Sequence, residues 1–239
     1  MAVMAGGLDA AALKLVAGNR VLRFLPAEQL QALVRRGQVL AIDAREPVFE
    51  QGDEGRTVLV VLAGYLKLSS TTQGGREAIL DIAGPGSVFG EIAVLNGWPR
   101  AAGAVALTPA RLLAIDGASF TNALLRTPEA LLAMVRLVSD RLKTATAQMT
   151  DAVDLPAPTR VAKALIYLAA LQSRLEDGGL RIEFQLSQRE LGGLTGLTRE
   201  SINKHLAGFR DAGWIRMAGQ DIVLINLAAL RQDIDARDL

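Results

Sequence analysis

The chain has 239 residues, half of them apolar, which is enough for one large domain or two modest ones, each with a buried core. It contains no cysteine and one histidine, so disulfides, iron–sulfur clusters, thiolate redox sensing and metal sites built from cysteines or several histidines are excluded. The net charge of +1, with a small basic excess between residues 156 and 216, does not by itself indicate nucleic-acid binding.

The N-terminal residues 1–21 predict a leader or a short helix. The stretch is apolar, but it lacks a basic opening segment and is interrupted by Asp9 and Lys14, so it fits neither a signal peptide nor a membrane span. We therefore expect a cytoplasmic protein without a membrane partner. A helical pattern follows over residues 22–40, with Leu25-Pro26-Ala27-Glu28 starting a short helix.

Residues 38–116 predict a small antiparallel barrel or sandwich, because short apolar runs alternate with turn glycines. The runs cover residues 58–62, 65–68, 78–82 and 111–115. The glycines are Gly52, Gly55, Gly64, Gly74, Gly75, Gly84 and Gly86. Together with the helices predicted on either side, these strands indicate an α+β protein.

A long helix is predicted over residues 127–153, stopping near Asp151. Thr127 can cap it, and Pro128 suits its first position. Apolar residues recur along it at alternating spacings of four and three, as in the seam of a two-stranded coiled coil. These seam residues are Leu131, Val135, Val138, Leu142, Ala145 and Met149. The seam predicts a homodimer; the alternative is that it packs on the chain's own barrel.

Two prolines, Pro156 and Pro158, must interrupt that helix, which places a hinge at residues 154–158. A new helix is expected from Thr159 to about Leu175. We therefore assign residues 159–239 to a separate C-terminal domain.

The C-terminal domain contains the pattern of a helix-turn-helix. Ser187 and Glu190 have the spacing of a capping box, Gly196 supplies the backbone freedom of a tight turn, and Thr198 can cap the second helix. The first helix has Leu191 and Leu194 on its inner side, and the inner residues of the second helix are Ile202, Leu206 and Phe209. Its opposite edge, suited to a DNA major groove, carries Arg199, Glu200, Ser201, Lys204, Ala207 and Gly208. Two strands about Ala218-Gly219-Gln220 predict a wing; the alternative is a helical hairpin that only packs.

The segment Thr198-Arg199-Glu200-Ser201-Ile202-Asn203-Lys204-His205-Leu206 closely resembles the DNA-contacting helix of the catabolite-activator (Crp/Fnr) family. The resemblance implies that the chain binds double-stranded DNA, with palindromic half-sites similar to TGTGA, and has RNA polymerase as a partner. Arg199 would contact guanine O6 and N7, Glu200 would accept from cytosine N4, and Lys204 replaces the usual arginine. The implied DNA-contacting residues are Ser187, Gln188, Arg199, Glu200, Ser201, Lys204 and His205.

Residues 84–102 resemble the phosphate-binding cassette of cyclic-nucleotide domains, through Phe89-Gly90-Glu91, Ala93 and Pro99-Arg100-Ala101. The resemblance implies a β-roll over residues 22–126 that binds cAMP or cGMP and no metal. Arg100 would hold the exocyclic phosphate oxygens, Glu91 would accept from the ribose 2′-hydroxyl, and Gly90 would let backbone N–H groups approach the phosphate. The implied ligand-contacting residues are Leu80, Phe89, Gly90, Glu91, Ile92, Ala93, Arg100, Ala101 and Thr146. The alternative is that Glu91 and Arg100 pair with each other.

Two positions bear on the choice of nucleotide. Thr146 keeps a hydroxyl that can meet the adenine amino group, whereas Ala101 stands where the family often has a serine or threonine that helps hold guanine. We therefore expect cAMP, with cGMP, another effector or no effector as alternatives. The sequence shows no nucleophile with a base, no phosphate loop and no metal cluster, so we expect an allosteric transcription regulator and not an enzyme. A nucleotide-binding module that acts on a protein partner is the alternative from another class.

Overall fold

The computed structural model describes residues 2–4, 8–72, 74–176, 178–219 and 221–235. Residues 1 and 5–7 of the predicted leader, Gln220 of the predicted wing turn and residues 236–239 of the predicted C-terminal domain lie outside the described residues. The chain folds into two compact units, one of Met1–Gly74 with Leu80–Lys143 and the other of Gly75–Ile79 with Thr144–Leu239.

The N-terminal half is built on two β-sheets, so the predicted sandwich is confirmed. Its strands are β1 (Ala2–Met4), β2 (Gln38–Ile42), β3 (Pro47–Phe49), β4 (Thr57–Ala63), β5 (Leu66–Thr71), β6 (Glu77–Ala83), β7 (Val88–Phe89), β8 (Gly103–Ala106) and β9 (Ala110–Asp116). Its helices are α1 (Ala10–Ala17), α2 (Ala27–Arg36), α3 (Glu91–Asn96) and α4 (Gly117–Leu125), with a 3-10 turn at Leu22–Phe24. The sheet orders are β1-β2-β9-β4-β7 and β3-β8-β5-β6.

Strand β4 is buried on both faces, which explains its continuous apolar sequence. Side chains of a strand alternate between the two faces of the sheet. Val58 and Val60 pack with the helices that cover one face, whereas Leu59 and Val61 pack between the two sheets. The sheet therefore separates a helical layer from a second sheet. Strand β7 belongs to this sheet and leads directly into the short helix α3, which carries part of the predicted cassette.

The predicted helical pattern over residues 22–40 is correct only in part. The α-helix covers Ala27–Arg36, and Gly37 ends it in an extended conformation. Residues Gln38–Ile42 instead form β2, which pairs with β9 over five residues. Their apolar side chains are buried in the sheet, and this tertiary packing overrides the helical pattern.

The long helix α5 extends over Pro128–Asp154, three residues beyond the predicted stop at Asp151. Its backbone starts at Pro128 as predicted, but the Thr127 hydroxyl is buried and makes no hydrogen bond, so Thr127 is not a side-chain cap. The helix packs on the core of the first unit through Ala130, Ala133, Met134 and Leu137. Only the two residues Leu155 and Pro156 separate it from the next helix.

The C-terminal part has the predicted helix-turn-helix, with a larger sheet than expected. Its elements are α6 (Ala157–Leu171), β10 (Ser173–Glu176), β11 (Gly179–Ile182), α7 (Gln188–Thr195), α8 (Arg199–Asp211), β12 (Ile215–Ala218), β13 (Asp221–Leu224) and α9 (Leu227–Asp235). The predicted wing strands β12 and β13 are confirmed, and they belong to a four-stranded sheet of order β10-β11-β13-β12.

The predicted helix from Thr159 to Leu175 is wrong at both ends. Helix α6 starts at Ala157, because proline is tolerated in the first turn of a helix, where Pro158 lies. It ends at Leu171, and residues Ser173–Glu176 pair with β11 as a hairpin. In the described part of the chain, no helix is both long and apolar enough to cross a membrane.

Candidate functional site

Arg100 is a buried cation held by backbone oxygens. Its side chain is 5% exposed; Nη1 donates to the Gly90 carbonyl at 2.9 Å, and Nη2 donates to the carbonyl and hydroxyl oxygens of Thr57 at 2.9 and 3.1 Å. Burial lowers the pKa of Arg100 below its ordinary value, and the carboxylates of Asp53 and Glu91 act in the opposite direction. Because arginine stays protonated in proteins, the guanidinium is a fixed positive charge beneath the cassette.

Gly90 is required by two features of this arrangement. It has a φ of +82°, in the left-handed region, where it precedes α3 as the N-cap residue. A Cβ atom at this position would also lie 2.4 Å from Nη1 of Arg100. Any side chain here would therefore strain the backbone and displace the guanidinium.

Glu91 pairs with Arg141 of α5, and not with Arg100. Its side chain is 1% exposed, and its Oε1 accepts a short hydrogen bond from Nη1 of Arg141. Nη2 of Arg141 donates to the Val88 carbonyl at 2.6 Å. The other carboxylate oxygen of Glu91, Oε2, is buried without a hydrogen-bond partner. The alternative in which Glu91 and Arg100 form a structural pair is therefore wrong.

Phe49 supports the guanidinium of Arg100 from β3. The Cζ atom of Arg100 lies 4.2 Å from the centroid of the Phe49 ring, which is the geometry of a cation–π contact. The Phe49 ring lies 6.0 Å from the ring of Phe89, which is itself fully buried. The Phe49 ring, itself packed near Phe89, therefore limits where the guanidinium can lie.

The remaining cassette residues differ in exposure. Ala93 is buried, Ile92 and Leu80 are 40% and 46% exposed, and Ala101 is exposed. Thr146 is exposed on α5, in the other compact unit.

In the part of the chain that the structure describes, no group of three or more histidine, aspartate or glutamate side chains is arranged to hold a metal ion.

The helix-turn-helix is held by capping contacts at both helices. The Ser187 hydroxyl accepts from the Glu190 N–H at 3.2 Å, and the Glu190 carboxylate accepts from the Ser187 N–H at 2.8 Å, which confirms the capping box. Gly196 ends α7 with a φ of +68°. The Thr198 hydroxyl then accepts from the Ser201 N–H at 3.2 Å and caps α8.

The exposed edge of α8 carries the predicted DNA-contacting side chains. Arg199, Glu200 and Lys204 are exposed, whereas Ser201 and His205 are half-buried. Hydrogen bonds from its own N–H and from the Thr198 hydroxyl lower the pKa of Glu200, which keeps the carboxylate ionised. Burial, and then the Lys204 ammonium, lower the pKa of His205, which favours the neutral imidazole.

Ser187 and Gln188 lie at the start of α7, the former exposed and the latter half-buried. Gln188 donates a hydrogen bond to Asn203 of α8. The predicted site residues do not include Asn203, Arg141 or Phe49, although Phe49 and Asn203 lie in segments that resemble the family. A helical projection of the sequence places Asn203 one turn beyond Arg199, so its place on the exposed edge of α8 could be predicted. The contacts of Arg141 and Phe49 could not, because their partners lie far away in the sequence.

Comparisons with known proteins agree with both halves of this arrangement. The cyclic nucleotide-binding domain family matches residues 39–127, and the Crp-like helix-turn-helix domain family matches residues 159–233. The CRP-like cAMP-activated global transcriptional regulator of Mycobacterium tuberculosis (strain ATCC 25618 / H37Rv) is 31% identical over 195 residues, which cover 82% of this chain and 87% of that protein. The cyclic AMP receptor protein of Thermus thermophilus is 32% identical over 189 residues, covering 79% and 84% of the two chains.

Among solved structures, a CRP-family transcriptional regulator from Thermus thermophilus superposes with a TM-score of 0.72 at 26% identity. The match covers 82% of this chain and 96% of that one. With a nucleotide-binding domain and a Crp-like DNA-binding domain in one polypeptide, the chain belongs to the Crp/Fnr family of DNA-binding transcription regulators, a family of regulators and not of enzymes.

Proposed function

We propose that the protein is a homodimeric transcription regulator controlled by cAMP. The observation that carries the proposal is that the buried carboxylate of Glu91 and the buried guanidinium of Arg100 do not pair with each other. Glu91 keeps one oxygen and Arg100 keeps its Nε without a hydrogen-bond partner, although both atoms are buried. Buried polar groups normally have partners, so such a pair favours a polar ligand. A cyclic nucleotide supplies a ribose hydroxyl for Glu91 and phosphate oxygens for Arg100.

Arg141 connects the ligand-binding residue Glu91 to helix α5. It lies on α5 and contacts both Glu91 and the Val88 carbonyl. A ribose hydroxyl that binds Glu91 therefore either displaces Arg141 from the carboxylate or binds beside it. In the ligand-bound dimer we propose that Thr146 meets the adenine amino group. The ligand can shift α5 only if it binds one arrangement of the helix, the one that binds DNA, more tightly than the other. Binding then orders the coiled coil near residues 149–154 and places two recognition helices one DNA turn apart, about 34 Å.

The seam of α5 supports the homodimer. Leu131, Val135, Val138, Leu142 and Met149 are between 39% and 73% exposed in the single chain. The core of the first unit packs on other residues of the helix, from Ala130 to Leu137. An exposed apolar seam at heptad spacing fits a second copy of the same helix. We propose that Leu155 and Pro156, the two residues between α5 and α6, form the hinge within the predicted limits 154–158. The hinge would separate a nucleotide-binding domain (22–126) and its dimer helix (127–154) from a DNA-binding domain that starts at residue 157. We also propose RNA polymerase as a protein partner on palindromic operators with TGTGA-like half-sites.

The ligand proposal is tested by titration calorimetry of the full chain with cAMP and with cGMP. We expect cAMP to bind more tightly, since Ala101 lacks the hydroxyl that helps hold guanine and since the relatives named above are cAMP-responsive by name. Tighter binding of cGMP than of cAMP would identify cGMP as the effector. Absence of heat with either nucleotide at two different temperatures, at concentrations up to millimolar, would remove cyclic nucleotides as effectors.

Phe49→Leu is expected to weaken cAMP binding about fivefold. Leucine keeps an apolar contact but lacks the ring face that attracts the guanidinium, a contribution of about 1 kcal/mol when partly desolvated. Phe49→Tyr keeps the ring and serves as the control, with affinity within about twofold of wild type on the same cation–π argument. Equal affinities for the leucine and tyrosine variants would show that the ring does not position Arg100.

Arg199→Ala is expected to weaken binding to a TGTGA-type palindromic duplex by about 1–3 kcal/mol per contact and to relax specificity at one base pair of each half-site. The matched control is Arg210→Ala on the same helix, because Arg210 is exposed and paired with Asp211. Binding is measured by fluorescence anisotropy on a set of duplexes that each carry one changed base pair. Equal losses on every duplex would mean that Arg199 contacts phosphate and not a base.

A further inference from the structure

Thr57 holds one nitrogen of the Arg100 guanidinium with two oxygens. Nη2 of Arg100 donates to the Thr57 carbonyl at 2.9 Å and to the Thr57 hydroxyl at 3.1 Å, while Nη1 donates to the Gly90 carbonyl at 2.9 Å. Of these three acceptors, only the hydroxyl belongs to a side chain. The Thr57 hydroxyl is therefore the contact of this set that a substitution can remove while the backbone stays the same.

The sheet fixes the position of both Thr57 oxygens. Thr57 is the first residue of β4 and pairs with Asp116 of β9. Its carbonyl lies against the cassette, since a Cβ atom at Gly90 would be 3.1 Å from that oxygen. The hydroxyl is restricted as well, because a side chain that is branched at Cβ has few rotamers. Arg100 therefore meets two acceptors whose directions are set by the protein.

The bonds to Thr57 restrict how Arg100 can contact a phosphate. A guanidinium has five N–H groups, and a forked contact uses two of them that are parallel. One fork combines Nε with Nη2 and the other combines Nη1 with Nη2, so both forks need a hydrogen of Nη2. Thr57 offers an acceptor to each of the two hydrogens on that nitrogen. Arg100 keeps only single N–H groups for a ligand, among them that of Nε, which is buried without a hydrogen-bond partner.

We propose that Thr57 is a specificity-determining residue of the nucleotide site. By occupying both hydrogens of Nη2, it prevents a fork and makes Arg100 favour one of the two exocyclic oxygens of the cyclic phosphate. The inference rests on the cyclic-nucleotide function proposed above. It adds to that function a stereochemical preference at phosphorus and names the side chain that causes it.

The phosphorothioate analogues of cAMP distinguish the two exocyclic oxygens, because sulfur replaces one oxygen in one diastereomer and the other oxygen in the second. Sulfur is a weaker hydrogen-bond acceptor, so affinity falls most when it stands in the favoured position. Titration calorimetry of the full chain measures the affinity for cAMP and for both diastereomers.

The variants separate the hydroxyl from the shape of the Thr57 side chain. Thr57→Val keeps the branched shape without the hydroxyl, Thr57→Ala removes both, and Thr57→Ser keeps the hydroxyl. Thr71→Val, at an exposed threonine of β5, is the matched control for loss of a threonine hydroxyl from a strand. Thermal unfolding of each variant shows whether it folds.

We expect wild type to bind one diastereomer about tenfold more tightly than the other, because a hydrogen bond from a charged group is weakened in only one of them. Thr57→Ser and Thr71→Val should keep this ratio. In Thr57→Val and Thr57→Ala, one hydrogen of Nη2 loses its protein acceptor and is free to complete a fork. The ratio should then fall to about twofold or less, while the affinity for cAMP itself stays within about threefold of wild type.

The outcomes separate this inference from the function on which it rests. If wild type binds neither cAMP nor its analogues, the proposed nucleotide function fails. If wild type binds cAMP but binds both diastereomers equally, Arg100 does not favour one oxygen and the inference is wrong. It is also wrong if a folded Thr57→Val or Thr57→Ala variant keeps the wild-type ratio, or loses affinity for all three ligands by the same factor. A purely structural role of Thr57 would lower the melting temperature and leave the ratio unchanged.

Discussion

Arg100→Leu is expected to lower the affinity for cAMP by about 100-fold or more and to abolish the effect of cAMP on operator binding. Removal of one partner from a buried charged contact costs about 3–5 kcal/mol, since the other charge is left without compensation. In the variant, that other charge would be the cyclic phosphate. Titration calorimetry measures the affinity, and anisotropy on a TGTGA-type duplex with and without cAMP measures the response.

Two further variants separate ligand binding from folding. Arg100 also holds the Gly90 and Thr57 carbonyls, so the leucine variant is expected to unfold at a lower temperature. Arg100→Lys keeps the charge but not the forked contact, and it should bind cAMP with intermediate affinity. Arg35→Leu, an exposed arginine on α2, should behave as wild type. A folded Arg100→Leu variant that still responds to cAMP would contradict the proposed sensor.

A double variant, Val135→Asp with Val138→Asp, is expected to be monomeric. Both side chains lie on the exposed seam, where they are 55% and 40% exposed in the single chain. In a dimer, each aspartate would be buried beside the same residue of the second copy. Burial of unpaired charges costs several kcal/mol per ion, so the dimer dissociation constant should rise by about 1000-fold or more. Sedimentation velocity over a range of protein concentrations measures the change.

The control for that variant lies on the same helix. Ala147 is exposed and falls opposite the seam in the heptad pattern, so Ala147→Asp should leave the dimer intact. The monomer should bind a single half-site weakly and lose its preference for palindromes, because only one recognition helix remains per molecule. A double variant that stays dimeric would show that the copies associate through another surface.

Short-range sequence patterns suffice to predict the features that depend on neighbours in the chain. The capping box at Ser187, the left-handed turn at Gly196 and the cap at Thr198 involve residues within a few positions of each other, and all three were predicted. The same holds for the amphipathic seam of α5, because helical periodicity alone sets which side chains share a face. The cassette was identified by its resemblance to a family, from residues within one short segment.

Contacts between distant segments, by contrast, arise only in the folded chain. Arg141 contacts Glu91 from 50 positions away, and Arg100 reaches Thr57 from 43. Strand β10 replaced only the last residues of the helix predicted from Thr159 to Leu175, because strand pairing in a four-stranded sheet outweighs local propensity. The spacing of apolar residues along the chain does not predict such pairings. Their free energy arises from burial and hydrogen bonds that form only when the elements pack together. The contacts that Arg141 and Phe49 make beside the cassette, and the amide pair between α7 and α8, belong to this second class.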